Sequence, residues 1–180
     1  MLKITVPATE FFDESASTFV STEETVLELE HSLVSLSKWE SNWEVPFFDT
    51  KQKTTQQTLD YVKCMTLNEV VDDRVYAFLS SENISKITEY INAKQTATWF
   101  REEKQKPGPR EIVTSELIYY WMISLSIPFE CQHWHLNRLM TLIRVCNKKN
   151  APEKKMSRAE IAARNRALNA ERKAKLGTRG

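Results

Sequence analysis

Leu2, Ile4 and Val6 alternate with polar neighbours before Pro7, and Leu27 and Leu29 alternate again within TVLELE. A period of two predicts a short strand in each place, with one apolar face. The polar stretch between them, with Asp13, Glu14, Ser15 and Ser17, suits a loop or a hairpin turn. An isolated pair of strands is marginal in water, so this element must pack on the helices that follow. From His31 to Trp43 the period lengthens: Leu33, Leu36, Trp39, Glu40 and Trp43 fall at spacings of three and four. That is a helix with one apolar face, ended by Pro46. Thr54 or Thr55 suits the cap of a second helix, whose stripe of Leu59, Val62, Cys64 and Met65 runs to about Asn68. Shorter helices are predicted around Asp72 to Leu79 and from Ser85 to Ala93.

KQKPGPR, Lys104 to Arg110, is the strongest internal break, since two prolines flank a glycine. Beyond it, Glu111 to Ile127 is apolar almost all round, the pattern of a central buried helix, and Pro128 ends it. Glu130 to Cys146 carries Leu136, Leu139, Met140 and Ile143 on one face. Together these two predict an antiparallel helical pair at the heart of the core. Asn147 to Met156 is a polar linker. Ser157 and Glu160 then form a capping box, with Met156 and Ile161 at the staple positions, and Gly177 is a fitting stop after Leu176. This last helix spans about 28 Å at 1.5 Å per residue. Its large apolar residues are Ile161, Leu168 and Leu176, a stripe too thin to build a core of its own. The expected class is mainly α (α+β). A helical domain with a small N-terminal β-hairpin element covers residues 1–147, followed by a linker over 148–156 and a basic C-terminal helix within 157–180.

Charge sharpens this division. The formal net charge of the 180 residues is +1, but residues 1–147 hold 14 Lys and Arg against 21 Asp and Glu, whereas 148–180 hold 11 against 3. An acidic body carries a basic tail. Apolar residues at 41% and charged residues at 27% describe an ordinary globular chain. Three cysteines without CxxC spacing argue against a disulfide framework or a structural zinc site and fit a reducing compartment. The three glycines, Gly108, Gly177 and Gly180, are too few and too scattered for a phosphate-cradling loop. No signal peptide is read at the N-terminus. The most apolar stretch, Ile112 to Ile127, carries Glu116 and falls short of the roughly 20 residues a spanning helix needs, so no membrane partner is expected.

Candidate chemistry is sparse. In Cys131-Gln132-His133-Trp134-His135 the two histidines stand two apart, roughly 200° around a helix, and cannot converge on one ion. Cys131 and His135 share a helical face, but a metal would need two further ligands, with His31 the nearest thought. A cysteine nucleophile would need a base, an orienting group and an oxyanion site, none of which the sequence identifies. Glu102 and Glu103 adjoin the Pro-Gly break, where a solvated surface is the default. No catalytic residue, metal or cofactor is therefore assigned. Nucleic-acid platforms interleave aromatics with Lys and Arg, whereas Trp39 and Trp43 are flanked by Glu40 and Glu44. Trp39, Trp43, Phe47 and Phe48 are read instead as an apolar contact surface. Arg158, Arg164, Arg166, Leu168, Arg172 and Lys173 are read as the docking face of the tail helix. Its charge could meet phosphates, or an acidic protein surface that includes another copy of this body.

The segments HSLVSLSKWESNWEVPFF (His31–Phe48), TATWF (Thr96–Phe100), IYYWMISLSIPFECQHWHLNRLMTLIRVCN (Ile118–Asn147) and KKMSRAEIAARNRALNAERKAKLGTRG (Lys154–Gly180) carry a likeness that runs through nearly the whole chain. The chain resembles a family of small proteins encoded among tailed-bacteriophage structural genes, the tail assembly chaperones that precede the tape measure protein. The resemblance implies a non-enzymatic role in the host bacterial cytoplasm during phage assembly. Such a chaperone coats the long tape measure protein, helps recruit tail-tube subunits around it, and self-associates. The alternative is a virion structural or head–tail connecting protein whose basic tail contacts DNA or a neighbouring subunit.

Overall fold

A computed structural model of the chain describes residues 1–13, 18–49, 52–100, 112–151 and 158–177. It separates into two compact units, Met1–Asn147 and Lys148–Gly180. The fold is mainly α (α+β), with its strands at the N-terminus.

Strands β1 (Leu2–Val6) and β4 (Thr25–Leu29) pair antiparallel, with Ile4 opposite Leu27 and Leu2 opposite Leu29. Their alternation works as the period of two requires: Ile4, Val6, Leu27 and Leu29 are buried on one face. On the other face Lys3 meets Glu28 at 2.5 Å. The segment between β1 and β4 is more than a polar loop. It contains a second antiparallel pair, β2 (Thr9–Asp13) with β3 (Thr18–Thr22). Asp13 ends β2, while Glu14, Ser15 and Ser17 lie outside the described residues. Polar and aromatic positions are mixed in β2 and β3, so no one-sided apolar period marks them as strands.

Helix α1 (Leu33–Trp43) starts at a reciprocal capping box. Ser32 Oγ accepts from the Ser35 N–H, and the Ser35 hydroxyl accepts from the Ser32 N–H. It stops at Glu44, whose φ of 52° is left-handed and whose N–H donates to the Glu40 carbonyl. Helix α2 (Thr55–Met65) is capped in the same way by Thr54 with Gln57. Leaving α2, the chain runs antiparallel to β4. The Glu30 N–H donates to the Met65 carbonyl, and the Leu67 N–H to the Glu28 carbonyl. Asn68 completes the join by accepting from the Glu28 N–H and donating to the Val26 carbonyl. A short 3-10 turn (Asp73–Phe78) leads to α3 (Ser81–Asn92), capped by Ser80.

The second half departs from the predicted helical pair. Helix α4 covers only Ser115–Ser124 and is amphipathic in its setting. Ile118 and Met122 are buried, but Tyr120 is 63% and Ile123 is 62% exposed. An aromatic-rich sequence hid this two-sidedness. The predicted helix from Glu130 is broken into a 3-10 turn (Phe129–His133) and α5 (Leu136–Asn150). The break exists because His135 bridges to Ser32 and the Leu136 N–H donates to the His31 carbonyl, pulling the chain out of helix. Because α5 runs on to Asn150, the first residues assigned to the linker are helical. The central element is α1, which packs against both α2 and α4. Its Trp39 joins the apolar cluster under the strands and α2, while Leu33 and Leu36 join the cluster formed with α4 and α5.

In the second unit, α6 (Arg158–Leu176) ends where expected. Gly177 has φ 62° and its N–H donates to the Lys173 carbonyl. Every described residue of α6 is exposed. The Lys104–Arg110 break, Met156 and the Ser157 cap lie outside the described residues.

Candidate functional site

The turn after α1 gathers three of the four aromatic candidates around a charged anchor. The Glu40 side chain is buried on α1, and its two carboxylate oxygens accept from the Phe47 N–H at 2.8 Å and the Ser115 N–H at 2.7 Å. One side chain thus ties the turn at Pro46 to the first residue of α4. Lys53 donates to the Phe47 carbonyl at 2.6 Å and lies over the Phe47 ring at 4.1 Å. Burial of its ammonium lowers its pKa, which the nearby Asp49 carboxylate partly offsets. Phe47 packs edge-on against Trp39 and Phe48 and lies 4.4 Å from the Tyr61 ring centroid.

The four aromatics do not form one exposed surface. Trp39 is only 1% exposed and spends its indole N–H on the Gln57 carbonyl at 2.8 Å. It is core, because its position on α1 faces α2 and the strands. Trp43 is half-buried and donates to Asp60 Oδ2 at 2.9 Å, and Phe47 is likewise half-buried. Phe48, at 45% exposed, is the one candidate that faces solvent broadly, beside exposed Val45. Of the four, Phe48 alone is exposed, while Trp43 and Phe47 are half-buried.

The tail candidates are all presented. Arg158, Arg164, Arg166, Leu168, Arg172 and Lys173 are exposed on α6. Ile161 and Leu168, seven positions apart, share one side of the helix, and Leu176 continues it. Arg158, Arg172 and Lys175 border this stripe by helical geometry. The helix carries six basic residues against Glu160 and Glu171.

Cys131 and His135 do not occupy one α-helix, since the chain turns to extended backbone between them. Burial, with Glu130 beside it, pushes the Cys131 thiol upward, the opposite of what a thiolate nucleophile needs. His135 faces His31 instead, ring centroids 5.1 Å apart. The His31 Nδ1 meets the Tyr61 hydroxyl at 2.5 Å, His135 Nε2 donates to the Tyr90 carbonyl at 2.9 Å, and the Tyr90 hydroxyl donates to Glu30 Oε1 at 2.7 Å. Burial, reinforced by His135, lowers the His31 pKa to about 4. The sequence set His31 beside His135 only as a metal ligand; the fold instead joins them through Tyr61, Tyr90 and Glu30. Among the described residues, no group of three or more His, Cys, Asp and Glu is placed to hold a metal ion.

A concave surface that the sequence did not announce runs beside α5. The extended segment after α3, Thr96 to Phe100, borders two adjoining hollows of about 640 and 480 Å³. Trp99 stands 76% exposed there. Only the aromatic pair in TATWF hinted at it.

No protein-family model, curated protein or solved structure matches this chain.

Proposed function

We propose that this protein is a non-enzymatic tail assembly factor of a tailed bacteriophage, a chaperone that binds the tape measure protein and self-associates in the host cytoplasm. The observation that carries the reading is α6: a 19-residue helix with no buried residue, an Ile161–Leu168–Leu176 stripe and flanking cations. A helix of this length is marginal in water without a packed face. Its apolar stripe gains burial only on another surface, at roughly 1.5–3 kcal/mol for each large aliphatic side chain fully covered. Cations around the stripe favour an acidic target, which draws the helix in and orients it. Phe48 and Val45 offer the body a second, smaller apolar contact. The resemblance across His31–Phe48 and Ile118–Asn147 names the tape measure and tail-tube proteins as the targets.

Tagged co-expression with the phage tape measure and tail-tube proteins, followed by mass spectrometry of the purified complex, tests this. The expected result is stoichiometric tape measure protein that is soluble only in this company. An I161S/L168S double variant should lose at least tenfold of that capture while the body melts unchanged. If neither tail protein is retained, the reading fails. The tail's basic charge then favours the second reading, a virion component in contact with DNA, which predicts this protein in finished particles.

A further inference from the structure

We propose that the groove between the Thr96–Phe100 segment and α5 binds an extended acidic segment of a partner protein, with carboxylates seated on Arg138 and Arg144. Lys94, Arg138 and Arg144 line the two hollows, and among the described residues no Asp or Glu lines either. That concentration of positive charge sits in a body whose sequence carries 21 acids against 14 bases. The two hollows share Thr96, Thr98 and Thr141, so they form one continuous surface on either side of Thr141.

The arginines are held ready for an anion. The Arg138 guanidinium carbon lies 4.1 Å from the Trp134 ring centroid, and that of Arg144 lies 4.3 Å from the Phe100 centroid. A guanidinium over a ring is covered on one side. The N–H donors at its edge stay available in the fork that fits a carboxylate. Among the described residues, neither arginine forms an ion pair with a carboxylate. Six positions along α5 separate them by about 9 Å of helix rise. On one face of an extended chain, carboxylates four residues apart are separated by about 13 Å, within reach of two arginines offset by that rise and by roughly 120° around the axis. In the hollow that holds Arg144, exposed Trp99 offers a flat apolar surface for a side chain of the same segment. This site lies wholly within Met1–Asn147 and stands whether or not α6 binds a tape measure protein.

The test titrates the full-length protein with an end-blocked heptapeptide bearing two glutamates four residues apart and a phenylalanine midway between them. Its glutamine counterpart and a short oligo(dT) serve as controls. Calorimetry and tryptophan fluorescence provide the readouts. Saturable binding is expected for the glutamate peptide, at least tenfold weaker for the glutamine peptide and weaker as salt is raised. The R138Q/R144Q variant should lose at least tenfold in affinity. Both side chains are exposed, so its far-UV circular dichroism should match that of the parent. A W99A variant should bind the glutamate peptide several-fold more weakly and lose part of the fluorescence change. Absence of peptide binding, equal binding by the double glutamine variant, or binding of oligo(dT) in preference to the peptide would each overturn the proposal.

Discussion

At His31 and His135 two buried imidazoles face each other at 5.1 Å, with Tyr61, Tyr90, Glu30 and the Met1 amine around them. The His31 pKa falls from 6.5 to about 4 on folding, chiefly because burial disfavours the charged ring. The unfolded chain therefore takes up this proton first as pH falls. The stabilising effect of neutral His31 is fully present above about 6.5 and is lost progressively down to about pH 4, a loss of roughly 3 kcal/mol. Urea melts across that range should show the decline, and it should be markedly shallower in His31→Asn. A flat profile would mean that the pair is solvated in solution. Glu40 makes a second residue-scale case. Its truncation in Glu40→Ala leaves the Phe47 and Ser115 N–H groups without their acceptor. An orphaned buried group costs about 1–3 kcal/mol and the half-buried Phe47 N–H less, so denaturant melts should report a loss of roughly 2–4 kcal/mol. The sequence showed a glutamate on an apolar helical face but not its partners, since Ser115 lies 75 positions away.

At the scale of elements, local chemistry set the starts of helices and long-range contacts set several ends. Ser32, Thr54, Ser80 and Thr114 each cap a helix with a side-chain oxygen, using short-range signals present in the sequence. The end of α4 is less obvious. Ser126 takes φ 54°, and the Ile127 N–H reaches back to the Met122 carbonyl at 2.8 Å. A residue with a β-carbon is strained in this left-handed conformation, which glycine adopts freely. Ser126→Gly should therefore raise stability by roughly 0.5–1 kcal/mol, after the greater unfolded-state freedom of glycine is subtracted. A lower denaturation midpoint would show that the serine hydroxyl contributes more than its strain costs. The mistaken continuous helix from Glu130 has an equally physical origin. Periodicity favoured helix through His135, but the bridge to Ser32 outweighed it.

Across the whole molecule, both apolar clusters belong to Met1–Asn147, and α6 contributes no buried residue. A chain ending at residue 156 should melt within about 2 °C of the full-length protein, because no core contact is removed. Collapse or insolubility of that truncation would refute the reading of α6 as an appendage. Its loss should still abolish partner capture and the salt dependence that accompanies it.

The fold class and the outer strands are legible in the chain alone, because two-residue and 3.6-residue periods and capping side chains act over short distances. The sequence also determined the thin stripe of Ile161, Leu168 and Leu176, which no arrangement of one helix could hide. Tertiary structure alone decided which aromatic is core and which is surface. Trp39 and Phe48 have similar chemistry, but only packing against α2 and the strands buries the first. It also brought His31 to His135 and placed Arg138 and Arg144 beside Thr96–Phe100. Those meetings depend on contacts between residues tens of positions apart, and such contacts leave no period in a single chain to be read.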